Sequence, residues 1–132
     1  GTLPNLHIIR GKYLSNVIIC NNCGHERLDS KEKMTDVNIA VEMISDAYKN
    51  NYDIALLISA DSDLVPVLKF IREIAPQKRI IVGFPPARHS YDLQKTAHAA
   101  FYIHESKLVK SVLPDTVVRT DGFKIIKPSE WI

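Results

Sequence analysis

Two cysteines are all the chain has in 132 residues. That is too few for a disulfide framework, so a reducing cytosol is the simpler setting. No apolar run approaches the roughly 20 residues that span a bilayer, and no membrane partner is expected. The opening GTLPNLHIIRGK lacks a basic segment followed by a long apolar one and does not read as a secretion signal. It also lacks an initiator Met, which leaves room for residues upstream. Charge of one sign is not in excess. The net charge is +2 and the pI about 8.6. This is compatible with nucleic acid but short of the pI above about 9, with clustered cations, that marks such a partner from charge alone. Internal repeats and low-complexity segments are also missing. What remains, 45% hydrophobic and 24% charged residues in a length that fits one domain, is ordinary for a globular protein.

The apolar pattern alternates between two periods. LHII at 6–9 and YLSNVII at 13–19 read as short strands. CNNCGHE follows, with the turn formers Asn21, Asn22 and Gly24, and the polar RLDSKEKMT reads as a loop. Val37, Ala40, Val41, Ile44, Ala47 and Tyr48 recur at the spacing of one helical face. Thr35 or Asp36 suits its N-cap or first turn. IALLIS is a continuous apolar run of the kind found in buried parallel strands. A second helix is expected from about Leu64 to Ile74, with Pro66 tolerated in the first turn. RIIVGF reads as a strand, PPARHS as a loop, YDLQKTA as a short helix and AAFYIH as the last clear strand. His104 and Glu105 are placed to cap a final short helix. Alternating strands and helices predict an α/β fold, a mostly parallel sheet with helices on both faces. The tail 114–132 is less periodic and suggests a small hairpin around Asp121 and Gly122.

The sharpest feature is SADSD at 59–63. Asp61 and Asp63 stand one residue apart at the end of a run that reads as a buried strand, where ligands of open α/β sheets bind. Like charges repel and their desolvation is costly, so something must offset both. Asp36 lies at the start of the preceding helix, and a crossover brings such a start toward the sheet. Three carboxylates in one cleft suit a hard cation, Mg²⁺ or Mn²⁺, which activates water and stabilises an in-line phosphoryl displacement. The plainer reading is that Asp61 and Asp63 cap the second helix and Asp36 the first.

EKMTDVNIAVEMISDAY, YDIALLISADSDLVPVL and RIIVGFPPARHSYDLQKTA together resemble the NYN domain, a branch of the PIN-like nuclease superfamily, close to its LabA-like members. The resemblance runs over roughly residues 6–110. It implies a Rossmann-like three-layer α/β/α fold and metal-dependent cleavage of RNA, with Asp36, Asp61 and Asp63 as catalytic acids of the cleft and metal ligands, and Ser59 supporting the loop on the substrate side. Members of that family usually begin with a strand that ends in Asp. Nothing before Leu6 supplies one, so 1–113 is expected to be an NYN/PIN-like domain lacking its N-terminal strand, weakly active or inactive as it stands, with 114–132 as a tail. A sheet without its central strand exposes edges, which invites a homodimer or a strand swap. His98 stands where the family often has an acid, and is a poorer Mg²⁺ ligand than a carboxylate. The alternative within the same fold is a catalytically degenerate module that binds RNA or protein.

Other candidates are weaker. Arg88, His89 and Ser90 lie in a loop after a strand and are able to meet a phosphate, or simply to be solvated. Lys31 and Lys33 flank the first helix and offer the same choice. Cys20 and Cys23 have zinc-knuckle spacing, but a tetrahedral Zn²⁺ site needs four ligands. His25 and His7 are the nearest others, a second copy supplies two more cysteines, and a tight turn between strands needs no metal at all. A phosphatase of the haloacid dehalogenase kind also ends a strand in Asp-x-Asp, but its acids follow the first strand, whereas two strand-like segments and a long helix precede Asp61.

Overall fold

The computed structural model describes residues 5–131. Ile9–Tyr102 form one compact unit, and the segments through Ile8 and from Ile103 onward form a second.

The larger unit opens with a hairpin. β1 (Lys12–Ile19) and β2 (Glu26–Lys33) pair antiparallel over all eight residues of each strand. Cys20 N donates to His25 O at 2.9 Å and Gly24 N to Cys20 O at 2.8 Å, closing the turn. Two expectations change here. Residues 6–9 join no ladder, and the polar stretch after the turn is a strand. A solvated hairpin has no buried face, so its second strand shows no apolar alternation. The tight turn and pairing with β1 set it, down to the Ser15–Ser30 hydroxyl contact at 2.8 Å.

Met34, at φ 83, turns the chain sharply into α1 (Thr35–Tyr48). Thr35 and Asp36 are first-turn residues. The Glu32 carboxylate reaches forward to accept from Thr35 N at 3.2 Å and from its hydroxyl, occupying donors that a helix start leaves open. The buried stripe is rotated from the expected one. Ile39, Ala40, Met43, Ile44 and Ala47 pack on the core, while Val37, Val41 and Tyr48 are exposed. Both stripes have helical spacing, because the helix is apolar over a wide arc, and packing selects between them.

β3 (Ile54–Ile58), β4 (Arg79–Phe84) and β5 (Ala99–Tyr102) form a parallel sheet in that order. α2 (Val65–Ile74), entered through a 3₁₀ turn at Ser62–Leu64, links the first pair, and α3 (Tyr91–Thr96) links the second. Pro66 sits in the first turn of α2, where its missing N–H costs nothing. The parallel α/β order is as expected. Leu57, Ile80, Val82 and Phe84 are buried with Leu68, Ile71 and Leu93 of the helices. On the opposite face Ile54, Leu56, Ile58 and Phe101 remain about half exposed, so within this unit the third layer has no counterpart among the described residues. The edge of β3 away from β4 likewise pairs with no described strand.

In the second unit, α4 (Glu105–Lys110) follows His104, which makes no side-chain cap. β6 (Thr116–Val118) and β7 (Lys124–Ile126) form the expected hairpin, with Gly122 at φ +84 in its turn. No helix among the described residues is long and apolar enough to cross a membrane.

Candidate functional site

β3 ends at Ile58, and the chain must leave the sheet before α2 can begin. Ser59 and Asp61 shape that exit. Asp61 N donates to Ser59 Oγ at 3.1 Å, and Asp63 N donates to Asp61 Oδ1 at 2.9 Å. Asp61 is thus the N-cap of the 3₁₀ turn. This engages one of its oxygens; a carboxylate has two. Asp61 also lines a cavity of about 600 Å³ with Asp36, Ser59, Ser62 and Arg88, at the carboxyl ends of β3 and β4 marked by Ile58 and Pro85. Asp36 enters from the first turn of α1. The crossover therefore brings Asp36 and Asp61 together, with one guanidinium.

Asp63 is not among the residues lining that cavity. It is exposed and lies within the 3₁₀ turn. Among the described residues no three His, Cys, Asp or Glu side chains form a group able to hold one ion. Two carboxylates with serine hydroxyls are still a hard-oxygen set. Mg²⁺ commonly takes one or two carboxylates and fills its octahedron with water and substrate phosphate, so the donors present fit that ion.

Of Arg88, His89 and Ser90, Arg88 alone lines the cavity. Ser90 is buried, and its Oγ accepts from Leu93 N at 3.3 Å as the N-cap of α3. His89 is 2.7 Å from Gln94 Oε1 and packs its ring 4.7 Å from that of Phe84. Both serve the fold rather than a phosphate. Lys33 is the last residue of β2, opposite Lys12, and Lys31 pairs with Asp29 at 3.6 Å. His98 sits at the amino end of the sheet, where its Nδ1 accepts from Ile80 N at 3.0 Å. The cavity lies at the carboxyl end, so His98 is a backbone partner and not a cleft residue. Cys20 and Cys23 are free and exposed at the hairpin tip.

A second cavity, about 730 Å³, adjoins the first through Ser62 and is bordered by Lys69, Arg72 and Lys95, with Asp92 as its one acid. Arg72 Nη1 donates to Thr96 O at 2.6 Å, which fixes the guanidinium between α2 and α3. These three cations escaped the sequence reading. The signal was present in part, since Lys69 and Arg72 stand at i and i+3 of one helix and share a face, but Lys95 joins them only through the packing of α3.

The sequence matches the family model of the NYN domain over residues 11–105, from the hairpin to the start of α4. The chain belongs to the NYN domain family. Over 107 residues this NYN domain is 32% identical to the 6-hydroxy-3-succinoylpyridine 3-monooxygenase HspA of Pseudomonas putida (strain DSM 28022 / S16), a match that takes in 76% of this chain and 33% of the relative. The chain thus spans about a third of the length of that curated relative. A protein of unknown function from Vibrio parahaemolyticus RIMD 2210633, known from a crystal structure, shares the fold with a TM-score of 0.51 at 23% identity, over 67% of this chain and 49% of that one.

Proposed function

We propose that the Asp36–Asp61 cavity is the centre of a metal-dependent ribonuclease that hydrolyses RNA phosphodiesters. The observation that carries this reading is the meeting of two carboxylates and Arg88 in one cavity, with Ser62 shared between it and a second cavity bordered by Lys69, Arg72 and Lys95. Acid beside base at the carboxyl end of a parallel sheet is what a phosphodiester site requires. The carboxylates would hold a cation and the guanidinium a phosphate oxygen. Mg²⁺ or Mn²⁺, held by Asp36 and Asp61, would supply water activation and charge neutralisation at the scissile phosphate. The chain's own residues do the positioning. Ser59 clamps the backbone of Asp61, and the cap to Asp63 N fixes one carboxylate oxygen, so little reorganisation is needed when substrate arrives. The cationic groove holds flanking phosphates without reading bases.

The monooxygenase name belongs to a protein of which this chain matches 33%, and its chemistry is not carried over. The second reading is an NYN module that binds RNA or protein without cutting. It is favoured by the lack of a three-ligand group among the described residues. One assay separates the two. Labelled single-stranded RNA is incubated with the chain plus Mn²⁺ or EDTA, and binding and cleavage are followed together. Cleavage with Mn²⁺ that stops with EDTA and in Asp61→Asn supports the nuclease. Binding without cleavage in every condition favours the module and overturns the nuclease.

A further inference from the structure

The β1–β2 hairpin carries a feature the cleft does not use. Its tip, Cys20 to His25, folds back through Cys20 N to His25 O and Gly24 N to Cys20 O. Gly24 adopts φ +71, a conformation a side chain would strain, with open space around it. The tip carries Cys20 and Cys23, and thiolate is the form of cysteine that binds a metal. Both sulfurs are free and exposed. A turn needed only to join two strands gains nothing from two cysteines three apart.

We propose that Cys20 and Cys23 are half of a tetrahedral Zn²⁺ site that a second copy of this chain completes. Zinc suits the donors because thiolates are soft and a structural site is filled by four N or S ligands. The hairpin supplies two. Among the described residues no third His, Cys, Asp or Glu groups with them, so the tip does not close the site alone. A two-fold partner brings the same two cysteines, the self-complementary arrangement of most homodimers. The hairpin is open to such an approach, since all its strand residues but the half-buried Asp29 are exposed. Val17 and Leu28, opposite one another, and Ile19 lie just behind the tip and are each more than half exposed, so tip-to-tip contact also shelters apolar surface.

The test uses the whole chain, reduced, given ZnCl₂ and freed of unbound metal. Zinc content, solution mass by light scattering and the spectrum after Co²⁺ replacement are measured. The expected result is about one Zn²⁺ per two chains, a dimer that EDTA returns to monomer, and thiolate-to-cobalt bands in the near ultraviolet. Cys20→Ser and Cys23→Ser each remove the metal and the dimer while the melting temperature of the EDTA-treated protein stays unchanged, because neither side chain is buried. No retained zinc, one zinc on a monomer, or retention by the Cys20→Ser/Cys23→Ser double variant each overturns the proposal. The site shares no residue with the cavity of Asp36 and Asp61, so these results stand whether or not RNA is cut.

Discussion

Asp61 shows that a capping side chain can keep an oxygen free for a second role. Capping and metal binding look like rivals in the sequence, yet the cap to Asp63 N engages only Oδ1, and the residue still lines the cavity with Asp36. Asn caps a turn as well as Asp does. Asp61→Asn is therefore expected to leave the metal-free melting temperature unchanged, to lose the Mn²⁺-induced rise, and to lower RNA cleavage at least about 100-fold. Melting curves with and without Mn²⁺ beside the cleavage assay decide it, and an undiminished Mn²⁺ response would leave Asp61 as a cap only. That Asp36 and Asp61 share a cavity was foreseeable from an acid at a strand end and a crossover that returns the start of α1 to the same edge. Ser90 and His98 misled because loop position and family resemblance say nothing of which backbone N–H a side chain meets. Tyr52 was silent in the sequence. Burial, and then the charge of Asp46, raise its phenol above the usual 10.0. A folded-state value above the unfolded one means stability that is whole below pH 10 and is lost as pH climbs through the folded value. Tyr52→Phe should flatten that alkaline decline relative to wild type in urea melts run from pH 9 to 11, and identical slopes would show that Tyr52 does not titrate with unfolding.

Lys78 joins elements that the apolar pattern cannot connect. It is 1% exposed, lies 5.7 Å from the ring centre of Tyr52, and sends its ammonium to Asn50, at φ 59 just past α1, and to Asp53 at 3.3 Å. Arg79 N donates to Asp53 O beside it, so the exit of α1, the start of β3 and the start of β4 are tied at one point. Asp53 itself is almost fully exposed, so most of the benefit lies in the packed stem. Lys78→Ala should cost about 2–4 kcal/mol and Lys78→Met less than about 1.5 kcal/mol in equilibrium unfolding. Equal losses would mean that the charge matters more than the stem. No periodicity rule finds a buried lysine. The same limit explains β2, whose polar residues pair in solvent, and the rotated stripe of α1, where two sets of apolar positions satisfied one spacing. By contrast β3, β4, α2 and the tail hairpin were legible to within a residue or two, because short apolar runs, a first-turn Pro and an Asp-Gly turn leave few alternatives.

Among the described residues, one apolar face of the parallel sheet stays about half exposed. Leu56 and Leu57 are chain neighbours, 55% and 6% exposed. Leu56→Lys should leave the melting temperature nearly unchanged and reduce concentration-dependent light scattering on storage, whereas Leu57→Lys should prevent folding. A large destabilisation by Leu56→Lys would show that this face is covered in solution. The order of strands in that sheet has a further effect. β3, β4 and β5 lie side by side in the order in which they are made, so each crossover returns to the strand just completed. A ribosome extrudes α1, β3 and α2 before β4, and the sheet first closes when Leu57 pairs with Val82. That closure also brings Pro85 and Arg88 to the loop that carries Asp61. Val82→Ala is thus expected to slow refolding, and Val17→Ala, in the self-contained hairpin, to change unfolding alone; stopped-flow traces with the opposite assignment would reject this order. On that order, the pairing that closes the sheet also assembles the cleft, so a nascent chain gains both at once.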